Sequence, residues 1–325
     1  MNLLDNQLLL AVFATTPRRY KAIFYGLAGK QTVSNLLALR DYGLLNYFHL
    51  YPKLSQQEFQ AQLVSLQQAG WLQLDQTDAT AVLTSAGELI CQQNNLARQW
   101  PQAYDYWQFG DWQLQWQRLL LGVQVVSNRW HQVQQYQPLT ESYQVQRELR
   151  IWWRYWAQHD WQSFKGELQT SLTELPETAG TLLANSFSSS SFPGLTSQHL
   201  AQLRSQSLLR LQLAQINSLG LLLQVLKQNP SQWPLLNSLL PAPKSPLSRS
   251  AWQTYQQVLA GQSWSEIERQ RRIKASTLKE HLLIAAILMP NFPFENATIQ
   301  WLKHEDEHGF FANHLTSLEK GTLKK

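Results

Sequence analysis

The sequence has little cysteine and little charge, and both shortages narrow the kind of protein it encodes. Cys91 is its single cysteine in 325 residues, so the chain cannot form an internal disulfide and offers no multi-thiolate metal site. Charged residues make up only 15% of the chain, and 27 Lys and Arg against 22 Asp and Glu give a net charge of +5. This mild excess is compatible with an anionic partner, but only local clusters of Lys and Arg can indicate one.

Long apolar runs are also missing. The longest lie at 219–226 and 282–289, well short of the roughly 20 residues that cross a bilayer. An apolar run near the N-terminus follows Asp5 and precedes Arg18 and Arg19, which reverses the order of a secretory signal. We therefore expect a soluble, cytoplasmic protein with no membrane partner.

Several common enzyme motifs are absent. The chain has no G-x-x-x-x-G-K-[ST], no G-x-G-x-x-G and no G-x-S-x-G. These glycine-rich patterns serve ATP hydrolysis, dinucleotide binding and serine acyl transfer respectively. We therefore expect no catalytic residues, no cofactor and no small-molecule substrate.

The length and one linker predict several domains. Single cores seldom grow past about 250 residues, and the proline-rich segment PAPKSP at 241–246 is typical of a short stiff linker. We predict a mainly α protein with a winged-helix-like domain at 1–95 and a Trp-rich helical domain at 96–240. After the linker, residues 247–325 form a helix-turn-helix domain with a C-terminal tail.

The first domain is predicted from helix signals followed by strand signals. Thr16 and Pro17 resemble a helix start, and Ser55 with Glu58 forms a capping box for a helix that can end at Gly70. Alternating segments at 71–74 and 81–84 flank a turn and predict a hairpin, after which Ser85-Ala-Gly-Glu88 opens another helix with Ser85 as its cap. This order is typical of a winged helix.

Arg18, Arg19 and Lys21 form the basic cluster of this first domain. Two interpretations stay open for it, a solvated helix face and a DNA contact.

The middle of the chain is crowded with tryptophan. Nine of the fourteen lie between positions 100 and 161, namely Trp100, Trp107, Trp112, Trp116, Trp130, Trp152, Trp153, Trp156 and Trp161. Aromatics at helical spacing usually fill a core. Alternatively they stack on unpaired bases while Arg118, Arg147, Arg150 and Arg154 contact phosphates. The sequence leaves both interpretations open.

Residues 252–289 contain the start and stop signals of three consecutive helices. Gly261 ends the first, Ser263 and Glu266 form a capping box for the second, and Ser276 is predicted to cap the third. Between Lys244 and His281, seven Lys and Arg face three acids, so this segment holds most of the net charge.

A helix presented in this way, with short polar and basic residues in its first turns, is typical of DNA recognition. The predicted DNA-binding residues are Arg271, Arg272, Lys274, Ser276, Thr277, Lys279 and His281. We expect contacts to concentrate at the start of the helix, because Glu280 repels phosphate and the segment beyond it is apolar. Replacing Lys279 by Ala is expected to weaken binding similarly across sequences.

The segment SWSEIERQRRIKASTLKEHL resembles the helicase-type helix-turn-helix, and it shares a pattern with the response-regulator type. Lys274 occupies the place where that pattern often has the capping Ser. This segment and the sequence from Tyr25 to Leu74 together resemble the YpbB-like family of Gram-positive bacteria. Members of that family are typically encoded beside a RecQ-type helicase. The resemblance implies a non-enzymatic, nucleoid-associated accessory protein that binds DNA and a RecQ-type helicase in replication or repair.

Two alternatives remain. A sequence-specific transcription regulator could use the same helix-turn-helix. A zinc-dependent hydrolase is suggested by His304-Glu-Asp-Glu-His308 with His314, the H-E-x-x-H spacing of zinc proteases. However, Phe311 stands where metzincins need a glycine, and Gly309 would break the helix, so we expect no bound metal.

Overall fold

A computed structural model describes residues 7–156, 161–306 and 309–322. These residues are mainly helical, as the sequence predicts, and they include one small three-stranded antiparallel sheet. The chain divides into two compact units, the first made of Met1–Gly29 and Asn46–Ala242 and the second of Lys30–Leu45 and Pro243–Lys325.

The second unit combines two separate stretches of the chain. Its main segment begins at Pro243, inside the predicted linker at 241–246, and residues 30–45 join it from within the predicted first domain. The three-domain division stays a prediction, as does the winged-helix arrangement.

The N-terminal part of the first unit combines three helices with the sheet. Its elements are β1 (Arg18–Arg19), α1 (Tyr20–Leu27), α3 (Gln56–Gln68), β2 (Leu72–Asp75), β3 (Thr80–Leu83) and α4 (Ser85–Gln93). The strand order is β1-β3-β2, and Leu72 lies opposite Leu83 in the predicted hairpin. The capping box of α3 is confirmed, since the Glu58 amide donates to Ser55 Oγ at 3.1 Å and the Ser55 amide donates to Glu58 Oε2 at 3.2 Å.

Two helix starts differ from the prediction. Thr16 and Pro17 do not begin α1, because Arg18 and Arg19 pair with β3 as a strand and Arg18 Nη1 donates to the Val12 carbonyl at 2.7 Å. Only Lys21 of the basic cluster therefore lies on a helix. Ser85 is the first residue of α4 rather than its cap, because Thr84 Oγ1 accepts from the Gly87 amide at 3.1 Å.

The rest of the first unit is helical and is built around one long central helix. Its helices are α5 (Tyr106–Phe109), α6 (Trp112–Trp130), α7 (Tyr143–Trp156), α8 (Trp161–Thr173), α9 (Glu177–Ser186), α10 (Ser197–Leu203), α11 (Leu208–Gln228) and α12 (Pro234–Leu239). Helix α11 contacts α6, α8, α9, α10 and α12, and buries leucines along its whole length. Short 3-10 helices lie at Leu8–Val12, Leu45–Tyr47 and Leu96–Gln99.

Some of the tryptophans fill this core. Trp100 is 2% exposed, and its indole N–H donates to the Leu8 carbonyl at 3.0 Å. Trp152 is also buried, and its N–H donates to Ser238 Oγ at 2.8 Å. A buried indole needs a hydrogen-bond acceptor for its N–H, and both have one. The packing interpretation therefore holds for these two residues.

The second unit is a bundle of helices around α15. Its helices are α2 (Val33–Asp41), α13 (Arg249–Leu259), α14 (Trp264–Arg271), α15 (Ala275–Leu288), α16 (Ala297–Glu305) and α17 (Phe310–Thr322). Helices α2, α13 and α17 all contact α15. Leu278, Leu282 and Leu283 of α15 are buried as a result. Among the described helices, none is long and apolar enough to cross a bilayer.

We predict that Gly87→Ala destabilises the first unit. A Cβ at this position would lie 2.1 Å from the carbonyl oxygen of Trp71, and this backbone atom cannot rotate away. The expected loss is about 1–3 kcal/mol of unfolding free energy, measured by urea unfolding.

Gly166→Ala is the matched control, since no atom lies within 4 Å of its Cβ position in α8. Alanine there should be neutral or stabilise by about 0.5–1 kcal/mol, because it favours the helix. Equal effects of the two substitutions would contradict the predicted contact at Gly87.

Candidate nucleic-acid interface

Helices α13, α14 and α15 follow one another with short, well-defined connections. Gly261 takes a left-handed conformation after α13, with φ +74°. The predicted capping box then starts α14, with Glu266 Oε2 accepting from the Ser263 amide at 2.9 Å and from Ser263 Oγ at 2.7 Å. Arg272 ends α14 in a left-handed conformation, with φ 52°. Ile273 and Lys274 separate Arg272 from α15, which begins at Ala275.

The start of α15 is two residues earlier than predicted. Lys274 is its N-cap, with an extended backbone and a carbonyl that accepts from the Leu278 amide at 3.1 Å. The prediction that Ser276 caps the helix is therefore wrong, and Ser276 is the second residue of the first turn. Lys274 contributes no side-chain cap, which leaves the first amides of α15 without a capping side chain.

The side chains around this turn are exposed. Arg269, Arg272, Lys274 and Ser276 are exposed and Thr277 is half-buried, whereas Leu278 in the next position is fully buried. The first turn of α15 and the residues leading into it are therefore accessible. Glu280 is also exposed, one helical turn beyond Ser276, and its carboxylate repels phosphate there.

Arg271 is directed into the bundle. Its Nη1 donates to the Ser250 carbonyl at 2.7 Å and to Thr254 Oγ1, and its Nη2 donates to Ser250 Oγ at 2.7 Å. These bonds join the end of α14 to α13. The Arg271 guanidinium thus connects α14 to α13 through three hydrogen bonds. The sequence, by contrast, predicts that this side chain contacts a phosphate.

His281 is the second predicted DNA contact that faces inward. Its Nδ1 lies 2.8 Å from Thr254 Oγ1, and Thr254 is fully buried. Burial lowers the pKa of His281, and the positive charge of Arg271 lowers it further. The imidazole is therefore held in its neutral form, which has no charge to offer a phosphate.

Lys279 is the third predicted DNA contact that is engaged within the bundle. Its Nζ donates to Asp306 Oδ1 at 2.6 Å. The other carboxylate oxygen of Asp306 accepts from the amides of Phe311 and Ala312 at 3.0 and 3.2 Å, at the start of α17. The bond with Lys279 lowers the pKa of Asp306. Lys279 therefore holds α15 to the junction between α16 and α17.

Sequence reasoning missed Ser250, Thr254 and Asp306. Ser250 and Thr254 lie one helical turn apart, so their spacing shows that they share a face of α13. Nothing in the sequence shows that this face meets Arg271 and His281. Asp306 has no local signal apart from its place in the HEDEH pattern.

The zinc pattern falls at the end of a helix. α16 ends at Glu305, His304 is exposed, and Asp306 is engaged with Lys279. Glu307 and His308 lie outside the described residues. Among the residues that are described, no three His, Cys, Asp or Glu side chains are placed to hold a metal ion.

Comparison of the chain with protein-family models, with curated proteins and with solved structures finds no match. Membership of the YpbB-like family therefore stays a prediction from residues 25–74 and 263–282.

We predict that His281 makes the stability of the second unit depend on pH. An unfolded histidine titrates near about 6.5. Below that pH the unfolded chain takes up a proton that the folded state resists, because the folded pKa is lowered. The contribution of His281 to the free energy of unfolding should be fully present above about pH 6.5. It should decrease as the pH falls from there to the folded-state pKa.

Thermal unfolding of the full chain between about pH 8 and about pH 5 measures this dependence. His281→Gln should flatten it, and the contributions of the other histidines cancel in the difference between the two proteins. Parallel curves for both proteins would show that His281 is not held neutral.

Proposed function

We propose that this protein is a non-enzymatic DNA-binding adaptor that works with a RecQ-type helicase in replication or repair. The observation that carries this proposal is the exposed basic turn, which we define as Arg269, Arg272, Lys274, Ser276 and Thr277. Its three cations lie within six residues, immediately before and at the start of α15. Clustered cations with adjacent hydroxyls and helix amides are the groups that contact a phosphate backbone.

The arrangement favours a grip on DNA over reading of its sequence. Base reading in the major groove requires several accessible side chains along a helix. Leu278, Leu282 and Leu283 are buried in α15, and Glu280 opposes phosphate at its exposed face. The basic turn can therefore contact the DNA backbone, but α15 has no long exposed surface with which to contact bases. Weak sequence dependence is the expected result.

A helicase partner is supported by the resemblance to the YpbB-like family and by the lack of a motif for ATP hydrolysis. The chain lacks the G-x-x-x-x-G-K-[ST] pattern for ATP hydrolysis, so unwinding would have to come from a partner. A small adaptor can contribute DNA affinity and position that partner at a fork.

We predict that Arg272→Ala and Lys274→Ala weaken DNA binding without changing its sequence preference. Each lost phosphate contact should reduce the slope of log affinity against log salt by about 0.9 on duplex DNA. Fluorescence anisotropy of the full chain with a fork and with two unrelated duplexes, at several salt concentrations, gives both quantities.

Two lysines of the second unit serve as controls. Lys320 is exposed on α17, and Lys279 faces Asp306. Lys320→Ala and Lys279→Ala should leave the salt slope unchanged when compared at equal folded fraction. Preference for one duplex by on the order of 10³ would favour the transcription regulator instead. Absence of DNA binding even at low salt would overturn the proposal.

We predict that the intact protein captures a RecQ-type helicase from its host. A pull-down with and without nuclease separates direct contact from tethering through DNA. Capture that survives nuclease supports the adaptor role, and a helicase recovered only without nuclease contradicts direct contact.

A further inference from the structure

Helix α7 presents large aromatic and apolar side chains to solvent. Tyr143 is 70% exposed, Tyr155 is 75% exposed and Ile151 is 58% exposed. The opposite face of the same helix is buried through Val145, Leu149 and Trp152. The exposed side chains are therefore additional to those that α7 needs for packing.

Arginines are interleaved with these aromatics. Arg147, Arg150 and Arg154 are exposed, and their spacing of three and four residues places them on one face of α7 with Tyr143. The acid within this helix is Glu148, which is paired with Arg118 at 2.6 Å. The exposed face of α7 consequently carries a positive charge.

A groove adjoins this face between α6 and α7. Its volume is about 290 Å³, and its lining includes Arg129, Tyr136, Arg150, Trp153 and Arg154, with no acid among the described lining residues. The Arg129 guanidinium lies 5.8 Å from the Trp153 ring centroid, and that of Arg150 lies 5.9 Å from the Tyr143 ring. Rings and guanidinium planes thus alternate across the groove and the exposed face. We call this combined surface the α7 platform.

We propose that the α7 platform binds unpaired nucleic acid, an inference that rests on the proposed function and assigns the single-strand contact to the first unit. Bases stack on Tyr143 and Tyr155, which lie along the exposed side of α7. Arg147, Arg150 and Arg154 contact the phosphates between them. Aromatic rings beside guanidinium groups supply both parts of single-strand recognition, because every base has a stacking face and every nucleotide has a charge.

The shape of the surface favours a strand over other ligands. The fourteen residues of α7 span about 21 Å at 1.5 Å per residue, which suits several nucleotides in a row. Exposed rings offer little to a duplex, whose bases already stack on one another. The charge favours an anionic polymer over an apolar protein segment.

The test is the affinity of the full chain for a labelled oligothymidylate and for a hairpin duplex of the same length. Tyr143→Ala and Tyr155→Ala should each weaken oligothymidylate binding by about fivefold or more, since stacking on one ring contributes that much. Both side chains are largely exposed, so these variants keep the fold. Tyr143→Phe should retain binding, because the ring remains. Arg154→Gln should lower the salt slope by about 0.7, the single-strand value for one contact.

Phe192→Ala is the matched control, because Phe192 is an exposed aromatic of the same unit that does not line the groove. It should leave both affinities unchanged. Arg272→Ala and Lys274→Ala should weaken duplex binding and spare oligothymidylate, so failure of the basic turn and failure of the platform are distinguishable.

Unchanged oligothymidylate affinity in the Tyr143→Ala, Tyr155→Ala double variant would overturn the platform, as would a wild-type protein that does not bind oligothymidylate. Loss of helicase capture in that double variant, with single-strand binding intact, would assign the surface to protein docking and also overturn it.

Discussion

The hydroxyl of Thr254 is the contact on which the arrangement of α13, α14 and α15 depends. It lies fully buried on α13, accepts from Arg271 at the end of α14 and pairs with His281 of α15. Buried polar groups cost free energy unless each has a partner, so the three groups stabilise the bundle only in combination. This requirement holds Arg271, the last residue of α14, against α13, and Arg272 and Lys274 of the basic turn follow directly.

The same requirement divides the cations of this segment into two groups. Arg271 and Lys279 are directed to acceptors inside the bundle, whereas Arg272 and Lys274 are exposed at the turn. A net charge counted along the sequence overstates the charge that a DNA backbone would meet. The smaller exposed group still clusters at one place, and this is the feature that the proposed adaptor function uses.

The aromatic residues of the first unit divide in a similar way, but along one helix. Trp152 is in the core with its N–H bonded, while Tyr143 and Tyr155 of the same helix α7 are exposed. The spacing of Arg147, Arg150 and Arg154 marks the exposed side of α7, but the sequence does not show whether another element covers Tyr143 and Tyr155. The tyrosines, which the composition does not single out, carry the proposed single-strand contact.

By itself the sequence determined the mainly helical class, the hairpin of β2 and β3, and the capping boxes at Ser55 and Ser263. Each of these depends on residues close together in the chain, so local chemistry suffices. Only the tertiary structure decided that residues 30–45 join the second unit, that Arg18 and Arg19 form a strand, and that Lys279 pairs with Asp306. Their partners lie tens of residues or more away, and a pattern read along one chain contains no measure of which distant groups meet.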